Sequence, residues 1–191
     1  MMNRTFFSKN STVNLALAGL MAALVFVATM FFNLQIFVGG EKTMIGFANV
    51  FCILSGLLLG PVYGGLAAGI GSFLFDLVGG WASSAPVTLV TKFAMAFIAG
   101  LIVWGGDRLG RKLSRVIIGA VSGSLSYCVL YMAYSYLNQV LLRSSAQTTL
   151  VVLAGKLGAT LTNAVIADVI AIPLYFAVRS ALERNKLGKA G

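Results

Sequence analysis

From about Val13 to Phe32 the chain runs ~20 residues without a charge, long enough to cross the ~30 Å hydrocarbon core of a bilayer as a helix. Further apolar runs follow, and the charged residues, 10% of the 191, cluster between them. A soluble domain would carry about 25% charged residues. With 59% hydrophobic residues, the pattern predicts an all-α integral membrane protein, a single domain over residues 1–191. Arg4 and Lys9 precede the first run as they would in a signal peptide. The run is longer than the roughly 7–15 residues of a signal core, and no A-x-A-like cleavage site follows, so it reads as a retained first span.

Six transmembrane helices are expected: about Val13–Phe32, Ile45–Leu59, Pro61–Val78, Pro86–Trp104, Val116–Leu142 and Thr148–Val178. Pro61 and Pro86 open their helices, where a missing N–H does no harm. Basic residues set the orientation. Arg4 and Lys9, then Arg108, Arg111, Lys112 and Arg115, then Arg179, Arg184, Lys186 and Lys189 fall on one side, ten of the fourteen. Only Lys42 and Arg143 fall on the other. The positive-inside rule then puts both termini in the cytoplasm, as an even number of spans requires. The net charge of +9 therefore reads as a topology signal. No aromatic–basic surface accompanies it, so nucleic acid is not an expected partner. The external segment Asn33–Met44 contains Gly39-Gly40-Glu41-Lys42 and reads either as a pliable lid or as a plain connector.

The stretch from Leu59 to Asp76 narrows the architecture further. A Gly60-Pro61 turn opens a helix with small residues at each turn, which lets helix backbones approach closely in lipid. That helix ends in Asp76, costly in a membrane without a partner or a task. With the termini inside, Asp76, Lys92 and Lys156 fall in the outer half of the bundle on three different helices. Two readings stand: a hydrated binding pocket, or an Asp76–Lys92 pair that locks one helical hairpin. Lys156, Thr160 and Asn163 share a helix face, as do Tyr127, Tyr131, Tyr134 and Asn138. Tyrosine rings with hydroxyl donors suit flat aromatic ligands, and equally suit helix packing. Trp81 reads as a ligand cap or as an interfacial belt residue. Two lysines against one aspartate predict an excess of positive charge in the pocket. Asp168, deeper and on another face, is expected to have a structural role, with a loop arginine as a possible partner.

Other chemistry is poorly supported. Cys52 and Cys128 lie inside apolar runs, there is no CxxC and no histidine, and no metal or cofactor site is expected. No GxxxxGK[ST] is present, so the chain has no P-loop for ATP. No Ser-His or Cys-His pair exists, so an enzyme is not expected.

The run from Ile45 to Trp104 resembles the substrate-binding (S) components of energy-coupling factor (ECF) vitamin transporters. The residues that carry this are Leu58-Leu59-Gly60-Pro61-x-Tyr63-Gly64, Gly69-x-Gly71-Ser72, Asp76-Leu77, Ala85-Pro86-x-Thr88-Leu89-x-x-Lys92 and Gly100. In the first helix, Ala18-x-x-x-Ala22, flanked by Gly19 and Ala23, matches the small-residue docking motif of that family. Within it the chain looks similar to the hydroxymethylpyrimidine or pyridoxine-type branch. The Asn-x-x-Asp pattern of that branch at the entry to helix 2 corresponds here to Gly46 and Asn49.

The resemblance implies an S component in a bacterial cytoplasmic membrane that captures a small vitamin-like substrate outside. It would dock through Ala18, Gly19, Ala22 and Ala23 on a membrane coupling subunit with two cytosolic ATPases, topple and release substrate inward. The substrate-contacting residues would be Asn49, Asp76, Trp81, Lys92, Tyr131, Tyr134, Lys156 and Asn163. The alternatives are a stand-alone ion-gradient transporter, marked by uptake without an ATPase partner, and a structural membrane protein, marked by no ligand at all.

Overall fold

The computed structural model describes residues 11–106 and 112–187. In chain order the elements are α1 (Ser11–Phe31), β1 (Asn33–Val38), β2 (Glu41–Gly46), α2 (Ala48–Leu59), α3 (Pro61–Val78), α4 (Ala85–Gly106), α5 (Leu113–Leu141) and α6 (Ala146–Leu187). Of the basic residues that set the expected orientation, Arg4, Lys9, Arg108, Arg111 and Lys189 lie outside the described residues.

The fold is not purely helical. The segment expected to be a lid or connector is an antiparallel β-hairpin, with Asn33 opposite Gly46 and Val38 opposite Glu41. Its two-residue turn is Gly39-Gly40, with φ of +59° and +86°. A two-residue turn with both φ values positive matches the right-handed twist of paired strands, and glycine adopts it without steric cost. The second helix therefore begins at Ala48 rather than Ile45, because Met44, Ile45 and Gly46 are paired with β1. The last helix runs to Leu187, well past the expected end at Val178.

Five helices, α1 and α3–α6, are long and apolar enough to cross a membrane. Helix α2, at 12 residues, is not. At 1.5 Å per residue it is ~18 Å long, short of a bilayer core. Its role is central instead. Ten of its residues are buried, and it packs against all five other helices. A helix that is apolar all round belongs inside a bundle. The outer faces of the other helices expose large apolar residues such as Leu20, Val129, Leu150 and Val169. In a soluble protein so much exposed apolar surface would be anomalous, and lipid accounts for it.

Small residues bring the α2, α3 and α4 backbones together. A Cβ built on Gly64 would lie 2.6 Å from the Gly56 Cα, and one on Gly100 would lie 2.7 Å from the Pro61 nitrogen. The Ser55 hydroxyl donates to the Gly64 carbonyl at 3.0 Å, and the Trp104 indole N–H to the Leu57 carbonyl at 2.9 Å. These contacts fix one end of the bundle around the Gly60-Pro61 turn. At the other end the helices splay and leave room for a polar cavity beneath the hairpin.

Candidate functional site: a polar cavity beneath the hairpin

Intramembrane charges are tolerated where they meet partners or line a cavity. A cavity of about 250 Å³ lies between the ends of α1 and α3, the start of α2, the loop after α3, and the facing sides of α4, α5 and α6. All eight expected substrate-contacting residues line it: Asn49, Asp76, Trp81, Lys92, Tyr131, Tyr134, Lys156 and Asn163.

Lys92 and Lys156 are 7% and 5% exposed, and each is held by protein groups. The Lys92 ammonium donates to the Asn49 side-chain oxygen. It also lies 3.8 Å from the centroid of the Tyr127 ring, a close cation–π contact. Asp76 and Thr88 line the same cavity, where the Lys92 charge acts on Asp76. The Lys156 ammonium forms a salt bridge with Glu41 of the hairpin. The other Glu41 oxygen accepts from the Gln139 side-chain amide on α5.

Two sequence-based expectations change here. Lys156 is matched by Glu41, and Lys42 also lines the cavity, so the lining carries three lysines and two carboxylates. Asn163 does not present a free amide. It accepts from the Gly46 N–H at 2.8 Å and donates to the Met44 carbonyl at 2.8 Å, fastening β2 to α6. Asp168 lies away from the cavity and accepts from the Ser124 hydroxyl of α5 at 2.9 Å, in place of the arginine considered for it.

The tyrosine face forms the α5 wall, with the Lys92 ammonium over Tyr127 and the Lys156 ammonium 6.0 Å from the Tyr131 ring centroid. Tyr127 and Tyr131 stack with ring centroids 5.6 Å apart, and Tyr131 and Tyr134 follow at 6.5 Å. The side chain of Tyr131 neighbours that of Thr43 on β2, and both line the cavity. The hairpin thus touches this wall through Thr43, α5 through Glu41, and α6 through Glu41 and Asn163. Glu41 and Gln139 were missed as site residues. The signal for Glu41 was its place beside a Gly-Gly turn, opposite a span with an unpaired lysine.

The four docking candidates on α1 divide between two faces. Ala18 is part of the buried core, and the Ala22 carbonyl lies against Gly71 of α3. These two face the inside of the bundle, Ala22 against α3. Gly19 and Ala23 are exposed on the outer side of α1.

An apolar helical bundle enclosing a charged, aromatic-walled cavity near one end defines a multi-pass membrane protein with room for a small polar molecule. The chain belongs to the family of ECF-type riboflavin transporter S components, whose family model matches residues 9–180. It is also similar to an uncharacterized protein in the gap 3′ region of Pyrococcus woesei, 33% identical over 109 residues, which make up 56% of this chain and 72% of the relative. As a transporter component, the chain is not an enzyme.

Proposed function

We propose that this chain captures one small, planar, vitamin-like heteroaromatic molecule outside a bacterial cytoplasmic membrane and delivers it inward with an ATP-driven coupling module. The observation that carries this reading is the cavity itself. It sets a tyrosine stack against two buried lysines and closes under a hairpin fastened by Glu41 and Asn163. The family name points to a flavin as ligand. The cavity volume of about 250 Å³ favours a single-ring pyridine or pyrimidine such as pyridoxine or hydroxymethylpyrimidine, since most drug-sized pockets run to ~300–1,000 Å³.

The proposed topology is six crossings with both termini cytoplasmic. Thr29, near the end of α1, and Asp76, near the end of α3, line the same cavity. Helices α1 and α3 therefore run in the same direction, and the chain must return between them through β2 and α2. A reporter fused after Gly191 should read cytoplasmic, and one inserted at Gly39-Gly40 external. An external C-terminus would contradict the arrangement.

The partners proposed are a membrane coupling subunit and two cytosolic ATPases. The outer face of α1 around Gly19 and Ala23 offers the close backbone approach that such docking needs. With the double variant Gly19→Leu/Ala23→Leu, co-purification with the coupling subunit and uptake should both fail, while ligand binding by the isolated chain stays within about twofold of wild type. Unchanged uptake by the variant would remove the docking role. Uptake by wild type in cells lacking any coupling subunit would favour a stand-alone transporter.

A further inference from the structure

Asn49 stands out because its amide is only half used. The residue is 3% exposed and sits in the first turn of α2, lining the cavity. A lysine ammonium only donates hydrogen bonds, so the amide atom facing Lys92 is the oxygen, Oδ1. That assignment turns Nδ2 away from Lys92. Nδ2 is buried and has no hydrogen-bond partner among the described residues. Native structures rarely leave a buried donor unpaired, and those that do call for an explanation.

Three of the surrounding groups are already engaged. Lys92 is committed to the Asn49 oxygen and the Tyr127 ring, and its charge is shared with Asp76. The Asn163 amide is consumed by β2, and Lys156 by Glu41. Of the cavity groups that carry an amide or ammonium, Asn49 retains an unused, buried N–H. Asp76, which lines the same cavity, supplies acceptor capacity there.

We infer that Asn49 determines specificity by donating a hydrogen bond from Nδ2 to an acceptor on the substrate's edge, with Lys92 as the positioning residue that fixes the amide's orientation. This deepens the proposed function and rests on it. The substrate is then a ring carrying a bare acceptor, a ring nitrogen or a carbonyl oxygen, on the edge that meets α2. Its flat face lies toward Tyr131 and Tyr134, since the Lys92 ammonium already covers the Tyr127 ring. An isosteric ring with C–H at that position would leave the donor unpaired and bind poorly, because a missing hydrogen-bond partner discriminates more strongly than a missing methylene.

The test is Asn49→Asp, which keeps the shape and the oxygen facing Lys92 but puts an acceptor where Nδ2 stood. Riboflavin, pyridoxine and 4-amino-5-hydroxymethyl-2-methylpyrimidine are titrated against purified wild type and variant, with melting temperature measured in parallel. The probe that binds wild type should bind Asn49→Asp at least about tenfold more weakly, with no loss of melting temperature. Binding within twofold of wild type would overturn the inference. If Asn49→Asp does not fold, Asn49→Ala gives the same decision: a tenfold loss supports the donor role, and unchanged affinity overturns it. Wild type that binds none of the three probes overturns the substrate class proposed above, and this inference with it.

Discussion

Replacing Lys92 by methionine should abolish ligand binding and destabilise the bundle more than any other single change in the cavity. Methionine keeps most of the length and apolar stem of lysine. It removes the ammonium that holds the Asn49 oxygen, sits over Tyr127 and faces Asp76. A carboxylate and an amide oxygen would then stay buried without their cation. Breaking a buried charged cluster by deleting one member costs about 3–5 kcal/mol. Thermal unfolding of the detergent-purified chain should show a large drop in melting temperature. The double variant Lys92→Met/Asp76→Asn removes both charges together and should recover much of that drop, because the penalty is the orphaned carboxylate. Binding should not recover, since Asn49 has still lost its positioning partner. A Lys92→Met protein of wild-type stability would show that the ammonium is solvated and contributes little to the fold.

The second large effect is expected far from the cavity. Gly64→Val should leave little folded protein. Its Cβ would meet the Ser55 carbonyl oxygen at 2.5 Å and the Gly56 Cα at 2.6 Å, both backbone atoms of a helix clamped by all five other helices. A flexible side chain could swing aside, but a packed helix backbone cannot. Overpacking at such a site costs about 3 kcal/mol. It would also push α3 away from the Ser55 hydroxyl that bonds the Gly64 carbonyl. The control is Gly158→Ala on α6, where an added Cβ meets nothing within 4 Å. Yield of monodisperse protein and melting temperature should collapse for Gly64→Val and hold for Gly158→Ala. Equal behaviour of the two would show that the α2–α3 contact is looser than these distances imply.

The parts legible in the sequence were those set by long-range composition and by side-chain type. Helix α3 begins and ends where Pro61 and the Gly79-Gly80 pair mark it, because both signals are local. The convergence of Asp76, Lys92 and Lys156 was readable because charges in apolar helices have few places to go. The hairpin was not recognised, although its signal was present. Two six-residue segments flank Gly39-Gly40, a standard two-residue turn. Neither strand alternates cleanly between apolar and polar residues, so the glycines read as pliability instead.

The partners of the charges were harder to read. Glu41 is separated from Lys156 by 115 residues, and its place beside a Gly-Gly turn fits a partly buried latch and a solvated loop charge alike. The small-residue pair Ala18 and Ala22 showed that α1 packs closely on something, but not on what. Spacing defines a helix face, while the tertiary fold decides whether that face meets α3 or a partner. The central place of α2 was hidden for a related reason. A segment apolar all round has no face to orient it, and its length of 12 residues became readable only once β2 was seen to take Met44, Ile45 and Gly46.

The most direct measurement is to purify the chain from its native membrane and identify by mass spectrometry any small molecule that comes with it. Riboflavin, pyridoxine and 4-amino-5-hydroxymethyl-2-methylpyrimidine are then titrated against the emptied protein. The predicted result is one heteroaromatic molecule per chain, bound by wild type and lost in Lys92→Met. A well-folded chain that purifies empty and binds none of the three compounds would contradict the account.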